Sequence, residues 1–115
     1  MNDLTWAELL AALPPETIFV DATRGVCLNA SLVSGEATPL NQLTQAGVIE
    51  FIYKLLDAAN RAQKTKNGAL PTGSKLNSFS DPTWSTPNNA GLVTARHTVA
   101  AQFTVSTAVA TAPLT

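Results

Sequence analysis

The fold is decided by residues 45–66, QAGVIEFIYKLLDAANRAQKTK. Apolar side chains recur at Val48, Ile49, Phe51, Ile52, Leu55, Leu56, Ala59 and Ala62. That three-and-four spacing predicts a helix with a broad buried stripe. Glu50, Lys54, Asp57 and Arg61 follow at intervals of four, three and four, with alternating sign. They line one narrow face and can pair along it. Thr44 or Asn41 is placed to cap the start. At about 1.5 Å per residue the helix would be roughly 33 Å long, the longest rigid element of the chain. The expectation is a helix that is mostly covered, with one wet strip.

Upstream, Thr5-Trp6-Ala7-Glu8 has the form of a capping box, and Leu4 and Leu9 suit a hydrophobic staple around it. A short helix is expected over Trp6–Leu13, stopped by Pro14-Pro15 and burying Trp6, Leu9, Leu10 and Leu13. Between the helices, Ile18, Val20 and Ala22 alternate, as do Val26, Leu28, Ala30 and Leu32. The break at Thr23-Arg24-Gly25 predicts a hairpin over 18–32 with a bulged or three-residue turn. Residues 34–39, SGEATP, read as a loop.

Downstream, residues 67–91 are rich in Pro, Gly, Ser, Thr and Asn and show no period. A structureless connection of that length is unusual inside a compact domain. Leu70, Leu76, Phe79 and Trp84 are spread through it, and aromatic anchors favour an ordered arm over a disordered linker. Residues 97–115 carry no Asp, Glu, Lys or Arg. Val99, Ala101, Phe103, Val105 and Val109 fall on one side of a period-two pattern, with small and mildly polar residues on the other. A strand that long exceeds the usual five or six residues, and its neutral edge lacks the Lys or Pro that protects exposed strands. The fold class is therefore α+β. A helix–hairpin–helix body occupies 1–66, and an extended arm with a long C-terminal strand occupies 67–115. The candidate assembly interface is Leu76, Phe79, Trp84, Val99, Ala101, Phe103, Val105 and Val109.

The composition points the same way. The chain has 115 residues, enough for one domain with a modest core. Charged residues make up 13%, about half the usual share, which leaves little charge to solvate a lone surface. A formal net charge of −1 gives no basic footprint for nucleic acid. The single cysteine, Cys27, excludes an internal disulfide framework. Met1–Leu13 lacks the layout of a signal peptide, and no apolar run is long enough to span a membrane. A cytoplasmic origin is expected.

Signatures of chemistry are sparse. Cys27 sits between Val26 and Leu28 in a predicted strand, where a lone thiol usually packs as a small apolar group. A nucleophilic role would need a base, and the only histidine is His97, far along the chain. One histidine does not make a metal site. Asp21, Glu36 and Asp81 read as isolated turn carboxylates. Arg61, Lys64, Lys66 and Lys75 form a mildly basic stretch that suits a helix C-terminus. Trp84, in Pro82-Thr83-Trp84-Ser85-Thr86-Pro87, could stack on a sugar or base, but loop tryptophans more often plug an apolar pocket. No phosphate-cradling glycine motif is present. No cofactor is expected.

Residues 43–58, LTQAGVIEFIYKLLDA, and the later Gly91-Leu92-Val93-Thr94 resemble the small structural proteins of tailed phages and phage-like particles of cyanobacteria. The resemblance covers about half the chain. It implies a non-enzymatic virion component present in many copies, a head-decoration, neck or tail subunit assembled in the host cytoplasm. The implied partners are copies of itself and other particle proteins, with no nucleic acid and no membrane. A small cytoplasmic adaptor that binds one protein through the same arm is the alternative.

Overall fold

The computed structural model describes residues 3–102, a mixed α+β chain arranged along one long helix. The elements are α1 (Trp6–Leu10), β1 (Ile18–Asp21), β2 (Gly25–Leu28), α2 (Ala30–Ser34), α3 (Val48–Asn67), β3 (Thr83–Trp84) and β4 (Ala95–Arg96), with a 3-10 turn at Thr72–Ser74. Among the described residues no helix is long and apolar enough to cross a membrane.

The capping box forms as its sequence dictates. Thr5 Oγ1 accepts from the Glu8 amide at 3.1 Å, and Glu8 Oε1 accepts from the Thr5 amide at 2.7 Å. The helix ends at Leu10, three residues before the expected stop, and tightens to i→i+3 bonds at Ala12 and Leu13. Leu9, Leu10 and Leu13 are half-buried, but Trp6, expected in the same apolar face, is 61% exposed.

The hairpin pairs Ile18 with Leu28 and Asp21 with Gly25 through a three-residue connection. Asp21 Oδ2 accepts from the amides of Thr23 and Arg24, which turns the chain locally. The second strand stops at Leu28 instead of continuing to Leu32. Asn29 ends it: its side-chain oxygen caps the amides of Ser31 and Leu32 and starts α2. At the other end of α2, Gly35 adopts φ 69°. Gly35 N–H bonds Leu32 O while Glu36 N–H bonds Ser31 O, closing the helix in a Schellman motif. The alternation over Ala30 and Leu32 was ambiguous over so few residues, and the caps decided it.

α3 begins at Val48, behind Gly47 with φ 128°, so neither Thr44 nor Asn41 is its cap. Gln45 instead folds the preceding loop, its Oε1 accepting from the amides of Asn41 and Gln42. α1 and α2 pack against α3, and β1 packs against α1. The apolar core among the described residues is small: Ile18, Val33, Ala58, Ala59 and Ala62. The buried polar residues are Thr17, Ser34, Asn60 and Gln63.

Over residues 67–102 the arm does not leave the body. β3 and β4 pair antiparallel, Thr83 with Arg96 and Trp84 with Ala95. Below them an isolated antiparallel bridge joins Phe79 and Val99. The chain thus goes up through 76–84 and returns through 94–100 as an irregular hairpin seated on α3.

Candidate assembly interface

The seat of the arm is a stripe of amide side chains on α3. Asn60, Gln63 and Asn67 stand at intervals of three and four, so they share one face of the helix. Gln63 Oε1 accepts from the Phe79 amide at 3.0 Å, while its Nε2 donates to Phe79 O at 2.9 Å. One turn on, Asn67 does the same with Leu76: Oδ1 accepts from its amide at 2.7 Å and Nδ2 donates to its carbonyl at 2.8 Å. Each amide thereby stands in for the peptide group of a neighbouring strand. Extended backbone laid against a helix would otherwise leave buried N–H and C=O groups unpaired. Asn60 Nδ2 donates to Asp81 Oδ1 at 3.1 Å, and Lys64 pairs with the same carboxylate oxygen at 2.7 Å.

The return strand is held by His97, whose side chain is 1% exposed. Nδ1 lies 3.0 Å from Ser80 O and Nε2 lies 3.1 Å from Asp57 Oδ1. Both partners are acceptors, so both bonds exist together only when both ring nitrogens carry a proton. The ring also lies 4.9 Å from that of Tyr53, centroid to centroid. Asp57 accepts in addition from Arg61 Nε at 3.1 Å, and Arg61 Nη1 donates to Ala12 O at 2.9 Å. Lys54 pairs with Glu50 at 2.8 Å and donates to Ser34 O at 2.7 Å. The alternating charges therefore pair as their spacing requires. Their side chains stay 38–57% exposed, so the strip is wet as expected, and it also ties the turn after α1, α2 and the arm to α3.

Two carboxyls are held below the usual carboxylate range. Glu8 is lowered chiefly by the Thr5 amide and then by Lys66, which reaches it at 2.9 Å. Asp81 is lowered chiefly by its hydrogen bond from Lys64 and then by that from Asn60. Cys27 and His97 do not form a catalytic pair: the thiol donates weakly to Gly25 O at 3.5 Å, and the imidazole is committed to Asp57 and Ser80. Among the described residues no three His, Cys, Asp or Glu side chains converge as a metal site requires.

The expected interface residues divide into three groups. Leu76 and Phe79 are half-buried against their own body. Trp84 and Val99 are 64% and 54% exposed, and Ala101 is exposed. Phe103, Val105 and Val109 lie outside the described residues. The amide stripe and the His97 clamp were missed by sequence reasoning. Three amides at helical spacing were the available signal.

Three residues of the stripe expected to be buried on α3 are not. Val48, Ile49 and Ile52 are exposed, with Leu43 just upstream of them. On the hairpin, Val20 and Val26 face each other across the ribbon, both exposed. A shallow groove of roughly 650 Å³ is lined by residues 46–50, Tyr53 and Ala95.

Comparison of the chain with protein-family models, curated proteins and solved structures gave no match.

Proposed function

We propose that this chain is a non-enzymatic structural subunit of a phage virion or phage-like particle, a head-decoration, neck or tail component. It works by assembling with copies of itself through its C-terminal arm and the apolar surface its body leaves bare. The observation that carries this reading is an imbalance. Twelve large apolar residues are exposed among the described residues, while only Ile18 and Val33 of comparable size are buried. Scattered exposed apolar residues are ordinary, but contiguous ones mark contact surfaces. Covering them contributes roughly 25 cal/mol per Å² of apolar area before association costs are subtracted. The placement in a phage particle rests on the resemblance of residues 43–58 and 91–94.

Light scattering on the purified chain tests the assembly. Oligomers are expected, and deletion of 99–115 should reduce them to monomers. A deletion variant that assembles normally would remove the arm from the mechanism. A full-length chain that stays monomeric at all concentrations would favour the adaptor. Electron microscopy of particles from producing cells, with the chain labelled, tests the station in the particle.

A further inference from the structure

We propose that Asn67–Gly68 is a self-modification site gated by the arm: when the arm lifts from α3, Asn67 deamidates, and the acid it becomes no longer seats Leu76. This goes beyond the assembly reading and does not depend on it.

The sequence supplies the reactive pair. Of the eight asparagines in the chain, Asn67 alone is followed by glycine. Deamidation begins when the nitrogen of the next residue attacks the asparagine side-chain carbonyl. Glycine brings no Cβ to obstruct that approach and gives the backbone the freedom to bend for it. The Gly68 nitrogen gives up its proton and bonds to Asn67 Cγ. The Cγ–Nδ2 bond breaks, and the side-chain nitrogen takes up a proton and leaves as ammonia. Water then opens the cyclic imide at either carbonyl. The product is aspartate, or isoaspartate with the main chain running through Cγ. Water is the only co-reactant, and nothing is oxidised or reduced.

The fold keeps the two reacting groups apart. Gly68 N–H donates to Lys64 O at 3.1 Å, closing the last turn of α3. The carboxamide is committed to the arm, with Oδ1 accepting from the Leu76 amide at 2.7 Å and Nδ2 donating to Leu76 O at 2.8 Å. Lys75 Nζ donates to Asn67 O at 2.7 Å, a third tie between this residue and the arm. Ring closure swings Cγ onto the Gly68 nitrogen, so the Leu76 bonds and the Lys64 bond must open first. Asn67 is half-buried, Gly68 is exposed, and both stand at a helix end, where local opening is least costly. The remaining barrier is the docked arm, and the rate of reaction measures how often it lifts.

The product does not restore the seat. A carboxylate has no hydrogen to donate, so Leu76 O loses its partner and faces a negative oxygen. The new charge also sits at the negative end of the α3 dipole. Lys64 and Lys66 already pair with Asp81 at 2.7 Å and Glu8 at 2.9 Å, and Lys75 is held on Asn67 O. Isoaspartate further lengthens the main chain by a carbon atom where α3 passes into the arm. Opening of the arm is thereby converted into a permanent loosening.

Ageing the full chain at mildly alkaline pH, then digesting it and weighing the peptide that holds Asn67, tests the gate. Asn67 should react slowly in the folded parent and fastest in the same chain unfolded in urea. Gln63→Ala releases Phe79 without touching Asn67 and should speed the reaction by about tenfold or more. Gly68→Ala should slow it in either state. Alanine suits φ −60°, although its Cβ would lie 3.3 Å from Thr65 O, and Asn67→Gln serves as the unreactive control if that variant does not fold. Asn67→Asp makes the product directly. It should quicken hydrogen exchange at the Leu76 amide by about tenfold and leave β1 and β2 unchanged, and aged parent should match it. Equal rates in folded and unfolded chain, or in Gln63→Ala and parent, overturn the gate. Unchanged protection of the Leu76 amide in Asn67→Asp overturns the loosening.

Discussion

From Asp57 to Asn67, α3 is covered on most sides, and what covers it is largely polar. Asn60 and Gln63 are buried beside Ala58, Ala59 and Ala62, and the arm lies across them. From Val48 to Ile52 the same helix is apolar and largely bare. The apolar spacing runs through Val48, Ile49 and Ile52 as well as Ala59 and Ala62, and only the second group is buried. The difference teaches that this chain uses alanine and amides where its own backbone must approach closely. Its larger aliphatic side chains at Val48, Ile49 and Ile52 stay on the surface. Small side chains admit a strand against a helix, and amides satisfy the strand's peptide groups. Bulky apolar side chains would have kept it away and left those groups unpaired.

The hardest blow to this contrast is a charge on each half. Ala59→Asp places a carboxylate at a 5% exposed position whose helix neighbours three and four residues away, Leu55, Leu56, Ala62 and Gln63, carry no positive charge, and it should destabilise the fold by about 3–5 kcal/mol. Ile49→Asp should leave the thermal midpoint of the monomer almost unchanged. Urea unfolding of the two variants side by side decides it; an equal loss of stability would mean that the bare half is covered within the protomer.

Gln63→Ala sharpens the point about the amides. It removes both partners of Phe79 and should cost about 2 kcal/mol. Hydrogen exchange at the Phe79 amide should quicken much more than at the amides of β1 and β2. Uniform quickening would show that the amide supports the whole fold and not the arm.

The smallest effect is that of acid. Glu8 and Asp81 both have lowered pKa values and both bind the covered half of α3, through Lys66 and Lys64. A carboxyl depressed in the folded state adds stability that is complete above its unfolded value, about 4, and is lost as pH falls through the folded value. The melting temperature should hold down to about pH 5 and decline below about pH 4. Glu8→Gln with Asp81→Asn should flatten that decline. An unchanged acid limb would assign it to other carboxyls.

Local signals were legible where one residue type permits few alternatives. Thr5 and Glu8 prescribe a cap, Asp21 and Gly25 a tight hairpin, and the Glu50–Lys54 and Asp57–Arg61 spacings their pairs. Signals failed where two local structures compete over a few residues, as at Ala30–Ser34, where the caps at Asn29 and Gly35 outweighed an alternation too short to decide. They failed again at the start of α3, where Gln45 engages the loop and leaves the cap position to Gly47.

The sequence by itself determined that there is one long helix, a capped helix and a hairpin before it, and a neutral alternating segment at the end. Those follow from periodicity and turn chemistry, which act over a few residues. Only the tertiary structure decided which side of α3 is covered and by what. Amphipathic spacing states that a face will be shielded, but whether that shield is the chain's own backbone or a neighbour depends on contacts between residues such as Gln63 and Phe79, far apart in sequence.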